Sequence, residues 1–150
     1  MLKEKINKLN IKNIVSETMT FIKWLIISVL TGIVVGIVAI AFHYSIDLVT
    51  ELRSHHTWLI YLLPVGGLII VLFYHICKKD DDKGTNLVLS AVKGKNNIPF
   101  ITAPLIFVSS TITHLSGGSA GREGAALQLG GSIANSIGRL IKLDEKEVRI

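Results

Sequence analysis

Residues 117–131 read Gly117-Gly-Ser-Ala-Gly-Arg-Glu-Gly-Ala-Ala-Leu-Gln-Leu-Gly-Gly131. The stretch holds six glycines, one arginine and one carboxylate, Glu123, and it lies between two apolar segments. Glycine lets backbone N–H groups turn toward a ligand with no Cβ in the way. A glycine-rich turn that opens a helix presents unpaired N–H donors and the positive end of a helix dipole, so it suits an anion. Glu123 sits at that helix start, where its carboxylate can occupy the place an anion would otherwise take.

Working outward, the composition sets the solvent. The 150 residues are 49% hydrophobic and only 18% charged, against about 25% charged in an average soluble domain. That balance favours an integral membrane protein. A net charge of +5 would suggest nucleic acid in a soluble chain, but here the lysines bunch beside apolar runs, so membrane topology explains them and no nucleic-acid partner is expected. The single Cys77 excludes an internal disulfide and cannot hold a metal alone. No cofactor or metal centre is expected. The first apolar run starts too deep and runs too long for a secretory signal peptide.

Met1–Thr20 is a leader bearing Lys3, Lys5, Lys8 and Lys12. Ile6, Leu9, Ile14 and Met19 recur at near-helical spacing, which fits a short amphipathic helix on the membrane surface; a solvated tail fits as well. Trp24–Phe42 carries no charge and has the length a helix needs to cross roughly 30 Å of hydrocarbon. Lys23 and Trp24 mark one interface, His43 and Tyr44 the other. Gly32 and Gly36 form a small-xxx-small pair, a weak sign of a helix partner. Ser45–His56 reads as a polar connection. His55 and His56 there suit a metal or, more simply, a solvated loop.

Thr57–Cys77 is a second apolar run that Pro64, Gly66 and Gly67 are expected to kink. Lys78–Lys83, with Asp80, Asp81 and Asp82, is aqueous and lacks the spaced ligands of a calcium loop. Lysines before the first span and after the second put the N-terminus in the cytoplasm, 45–56 outside and 78–83 inside.

From Gly84 the pattern changes. Asn86–Val92 is too short to span, and Lys93–Asn97 is a polar turn. Ile98–Leu115 is apolar but ends in Ser109, Ser110, Thr111 and Thr113, hydroxyls that suit other helices or a polar cavity. His114 reads as a packed, hydrogen-bonded histidine, with a proton pathway as the alternative. Ala125–Ile141 is a partly apolar helix with Gln128, Ser132, Asn135 and Ser136. Short, broken helices imply irregular backbone at membrane depth, which survives only where protein buries it or where it lines an ion site. In the polar tail, Lys142–Ile150, Asp144 suits the cap of a further helix from Glu145, and a chain ending there looks interrupted.

Residues 117–130 resemble the signature of the chloride channel (CLC) family of anion channels and proton-coupled anion antiporters, G-x-S-x-G-R-E-G-P-x-x-Q-x-G. Gly117 or Gly118, Ser119, Gly121, Arg122, Glu123, Gly124, Gln128 and Gly130 fit its spacing. The resemblance covers most of the chain. It implies an all-α polytopic membrane protein with broken and re-entrant helices. Of its two inverted halves, this chain holds most of the first: residues 1–20 as a cytoplasmic leader and 21–150 as the N-terminal part of the transport domain. It implies a multi-pass homodimer in the cell membrane, with a halide anion and a proton as the transported partners.

Glu123 matches the family's gating glutamate, whose carboxylate occupies the outer anion site, swings away when protonated and carries the proton in antiporters. A neighbouring anion favours the protonated carboxylate by like-charge repulsion, so protonation and occupancy become linked. The plainer alternative is that Glu123 caps the helix and pairs with Arg122. Gly121, Arg122, Gly124 and Ala125 fall at the anion-binding turn.

The family's upstream turn, G-S-G-I-P, corresponds to Gly84-Thr-Asn-Leu-Val88. Thr85 then takes the place of the serine that meets the central anion, with Asn86 beside it. Thr85, together with Ala125 in place of proline, resembles the fluoride-exporting bacterial branch. A chloride channel or chloride/proton exchanger is the alternative. The second-half G-x-F-x-P turn and the late tyrosine have no counterpart, so these 150 residues alone are expected not to transport. The rival from another class, an enzyme with a phosphate-cradling loop, lacks G-K-[ST] and a G-x-G-x-x-G after a strand.

Overall fold

The computed structural model describes residues 2–79, 84–93 and 98–143, with side chains from Ile14 onward. Among these residues the regular backbone is entirely helical. The α-helices are α1 (Leu2–His55), α2 (Leu63–Ile76), α3 (Thr85–Val92), α4 (Thr102–Leu115) and α5 (Arg122–Leu140), with a 3₁₀ segment at Thr57–Leu62. The chain divides into two units, Met1–Val34 and Val35–Ile150. Two helical stretches, Ile14–His55 and Thr57–Ile76, are long and apolar enough to cross a membrane, and only 6% of the apolar window in each is buried. Leu25, Val29 and Ile33 in the first and Leu68, Val71 and Leu72 in the second stand exposed, the reverse of a helix that supplies a soluble core.

In the first unit the backbone is helical from Leu2 onward. Ile6 and Leu9, whose spacing suggested an amphipathic face, precede the described side chains. The Lys23 ammonium lies 5.8 Å from the Trp24 ring centroid, a cation and an amphipathic ring together at an expected interface. A Cβ on Gly32, or on Gly36 at the start of the second unit, would meet nothing within 4 Å among the described residues. Asp80–Asp82 and Lys83, residues 94–97 and the Asp144 cap lie outside the described residues.

The second unit corrects one sequence expectation. Residues 45–55 are helix rather than part of a polar connection: α1 runs on to His55. No Gly or Pro occurs from Ile37 to Leu63 to stop it. The hydroxyls of Ser45 and Thr50 donate to the carbonyls of Ala41 and Ile46 at 2.8 and 2.7 Å, which removes their competition with the helix ladder. Ile46 is fully buried in a core with Phe42, Ala103, Leu129 and Ile133. That packing fixes the helix where polarity alone suggested a loop. The Thr57–Cys77 run is interrupted beside Pro64: the 3₁₀ segment ends at Leu62 and Pro64 sits in the first turn of α2, where its missing N–H has no intrahelical partner to lose.

Fit rather than burial holds such helices in lipid. Phe42 meets Phe107 edge to face, with centroids 5.5 Å apart at 63°. The connection before α4 is tied to α5. Ser132 Oγ donates to the carbonyls of Pro99 and Phe100 at 2.8 and 3.3 Å, and Asn135 Nδ2 donates to that of Ile98 at 2.6 Å. These polar residues satisfy carbonyls that lipid could not. The expected irregular backbone is therefore present and is met by protein.

Candidate functional site

α4 ends where the glycine-rich stretch begins. Gly117 adopts φ +86°, a left-handed position that favours glycine. Its N–H bonds the His114 carbonyl at 3.2 Å, and the Gly118 N–H bonds that of Thr113 at 2.8 Å. This paired closure satisfies the last carbonyls of a helix. The chain then reverses through residues 118–120, and Gly121 becomes the extended N-cap of α5, at φ −66° and ψ 117°. The upstream turn enters its helix differently: Gly84, at φ 57° and ψ −140°, precedes Thr85, the first residue of α3. That backbone conformation is essentially restricted to glycine.

The starts of α3 and α5 come together. A Cβ on Gly124 would lie 3.1 Å from Thr85 Oγ1, so the missing side chain sets the closeness of the two helices. Gln128, one turn on, donates from Nε2 to Thr85 Oγ1 at 3.3 Å. Around this contact opens a cavity of about 420 Å³. α5 contributes Ala125 and Gln128 with Gly121 and Gly124, α3 contributes Thr85 with Gly84 before it, α4 contributes Ile106, Ser109 and Ser110, and α2 contributes Tyr74. None of these side chains is charged. Two helix N-termini and several hydroxyls converge on one open space, an arrangement that supplies neutral donors to an anion.

Of the residues singled out from sequence, Thr85, Gly121, Gly124 and Ala125 line this cavity and Asn86, Arg122 and Glu123 do not. Arg122 turns its guanidinium away, to Asp47 of α1 at 3.1 Å, and Asp47 also meets His43 Nε2 at 3.1 Å. The Arg122 partner is thus Asp47 rather than Glu123. Glu123 lies exposed in the first turn of α5. His114 is packed as expected: its Nδ1 lies 2.8 Å from the Ser110 carbonyl, an oxygen that can only accept. Among the described residues no three His, Cys, Asp or Glu side chains gather as a metal site.

Sequence reasoning anticipated a polar surface at Ser109 and Ser110. It missed Tyr74, whose one available signal was a hydroxyl inside an otherwise apolar run, and it read Gln128 as a polar residue of α5 and of the motif without its tie to Thr85.

The sequence pattern of the voltage gated chloride channel family matches residues 66–150, which takes in α2–α5 and every wall of this cavity. The chain belongs to that family. The family's description is that of a channel, which sets the glycine-rich turn apart from the phosphate loop of an enzyme. Among curated relatives, a "Chloride/fluoride channel protein" of Pseudomonas syringae pv. tomato is 34% identical over 129 residues, covering 85% of this chain and 28% of the relative. An uncharacterized protein of Methanocaldococcus jannaschii is 29% identical over 142 residues, covering 95% of this chain and 35% of the relative. The chain therefore spans about a third of the length of these relatives. No solved structure matches it.

Proposed function

We propose that this chain carries one wall of the anion pathway of a proton-coupled halide antiporter, gated by Glu123. The single observation that supports this most is the meeting of the α3 and α5 N-termini on an uncharged, hydroxyl-lined cavity. An ion pathway must bind an anion firmly enough to admit it and weakly enough to release it. Neutral donors and helix ends meet that need better than a fixed cation. The backbone N–H groups of Gly121, Arg122 and Gly124 and the Thr85 hydroxyl are the groups assigned to the anion, with Ala125 on the same wall and Asn86 beside Thr85. Glu123 is the carboxylate that competes for the site and exchanges its proton as the anion passes.

Fluoride is the favoured ion, on the Thr85 and Ala125 departures and on the name of the Pseudomonas relative. The transporter works in this reading as a multi-pass homodimer in the cell membrane, each N-terminus in the cytoplasm. The test is anion efflux from liposomes carrying the whole reading frame that contains this chain, read with fluoride and chloride electrodes and a pH indicator. Glu123→Gln is expected to abolish proton coupling, a loss of at least about tenfold given the 10²–10⁴-fold effects typical of a removed proton-transfer group. Proton coupling intact in that variant would remove Glu123 from its role. A second reading, a passive channel of the same fold, draws on the word channel in the relative's name. Halide flux with no proton movement in the unmodified protein would establish it.

A further inference from the structure

We propose that Gln128 is a positioning residue that sets halide selectivity by committing the Thr85 hydroxyl to act as a donor. The inference rests on the reading of this cavity as the anion's route. A threonine hydroxyl has one hydrogen to give and two lone pairs to receive with. Toward an anion only the hydrogen is useful, and a freely turning hydroxyl presents lone pairs part of the time. Gln128 Nε2 donates to Thr85 Oγ1 at 3.3 Å, which occupies a lone pair and turns the hydrogen away from Gln128.

At five other positions in these helices the hydroxyl hydrogen is consumed by the backbone. Ser45, Thr50, Thr111, Thr113 and Ser136 each donate to the carbonyl four residues earlier, at 2.7–2.8 Å. Thr85 is the first residue of α3, so its helix has no such carbonyl to offer. Among the described residues nothing takes its hydrogen, which stays available on the wall of the cavity.

Gln128 is placed for this role by the helix repeat. It shares the cavity face of α5 with Gly121, Gly124 and Ala125, none of which has a hydrogen-bonding side chain. It is 9% exposed, and a buried amide demands partners. Gly124 leaves the gap through which the amide and the hydroxyl meet. Fluoride is the smallest halide and the strongest acceptor, and it surrenders the most hydration on entry. A hydroxyl held as a donor therefore repays fluoride more than chloride.

The experiment compares fluoride and chloride efflux from liposomes carrying the whole reading frame, for Gln128→Met, Thr85→Val and the double variant. Met keeps the length of Gln128 and removes its N–H. Gln128→Met is expected to lower the fluoride-to-chloride ratio about tenfold, the scale of one hydrogen bond's net worth. Thr85→Val is expected to lower it as much, and the double variant no further than either single change, since both act through one hydrogen. If Thr85→Val lowers the ratio and Gln128→Met does not, or if the two losses add, the role of Gln128 is overturned while the anion route stands. If Thr85→Val leaves the ratio unchanged, the route itself is wrong and the inference falls with it. Should Gln128→Met fail to give folded protein, Gln128→Asn carries the test. It keeps the amide but withdraws the N–H from Thr85, so an unchanged ratio there also overturns the proposal.

Discussion

α2 and α5 put their residues in opposite places. α2 is apolar along its length, yet Gly66 is its one buried residue. α5 is far more polar and buries Gln128, Leu129, Ser132, Ile133 and Gly138. In water this would be inside out. In lipid, large apolar side chains are already in their preferred solvent, and interiors go to residues that fit closely or complete hydrogen bonds. The difference teaches that α2 is a wall and α5 a scaffold: one meets the solvent, the other holds the broken backbone and the cavity.

The sharpest way to break the comparison is on α2 itself. A Cβ on Gly66 would lie 2.7 Å from Ser116 Oγ and 3.3 Å from Ile112 Cγ2, whereas one on Gly67 would meet nothing within 4 Å. Gly66→Val is expected to cost about 1–3 kcal/mol or more through overpacking. Gly67→Val is expected to fall within about 0.5 kcal/mol of the parent. Thermal unfolding in detergent checks both, and equal effects would show that α2 does not pack on α4 through Gly66.

A smaller effect sharpens the role of α5. Asn135→Leu leaves the Ile98 carbonyl without the Asn135 donor, expected to cost about 1–3 kcal/mol. Leu68→Ala on the exposed side of α2 is expected to stay within about 0.5 kcal/mol. Hydrogen exchange at residues 98–102 should rise in the first variant alone. Protection unchanged in Asn135→Leu would mean that the Ile98–Phe100 connection is held by something other than α5.

The smallest expected effect concerns the link between α1 and α5. Asp47 and Arg122 are 51% and 44% exposed, so water screens their attraction, and such pairs contribute about 0–1 kcal/mol. Asp47→Asn should lower stability by less than about 1 kcal/mol, and the change should shrink in high salt. A loss of several kcal/mol would mean that the pair is far less exposed to solvent in the assembled protein.

Much of the scaffold was legible in the sequence. The run of residues 117–131 suggests a glycine-rich turn that opens a helix, and α5 begins at Arg122 within it. The polar face of α5 was visible as polarity but not as purpose. Ser132 and Asn135 serve carbonyls 32–37 residues away, and no local pattern announces such a partner. Asp47 likewise reads as a loop residue until Ile46 beside it is seen to be buried, and its bond to Arg122 joins positions 75 apart. Tyr74 looked like one more residue of an apolar run because α2 faces the cavity only at its end. Local chemistry identified the turns, and long-range packing decided which polar side chains serve them.

If the cavity is the proposed anion route, its uncharged wall also sets how long an anion stays. A lysine or arginine at about 4 Å would add roughly 4 kcal/mol of attraction at the effective dielectric near a protein surface. Since every 1.4 kcal/mol is about tenfold, such a cation would lengthen the dwell of each ion about a thousandfold. In the proposed reading, the Arg122 guanidinium facing Asp47 and a cavity lined by hydroxyls and helix ends keep each stop short. Throughput, rather than capture, is what this geometry favours.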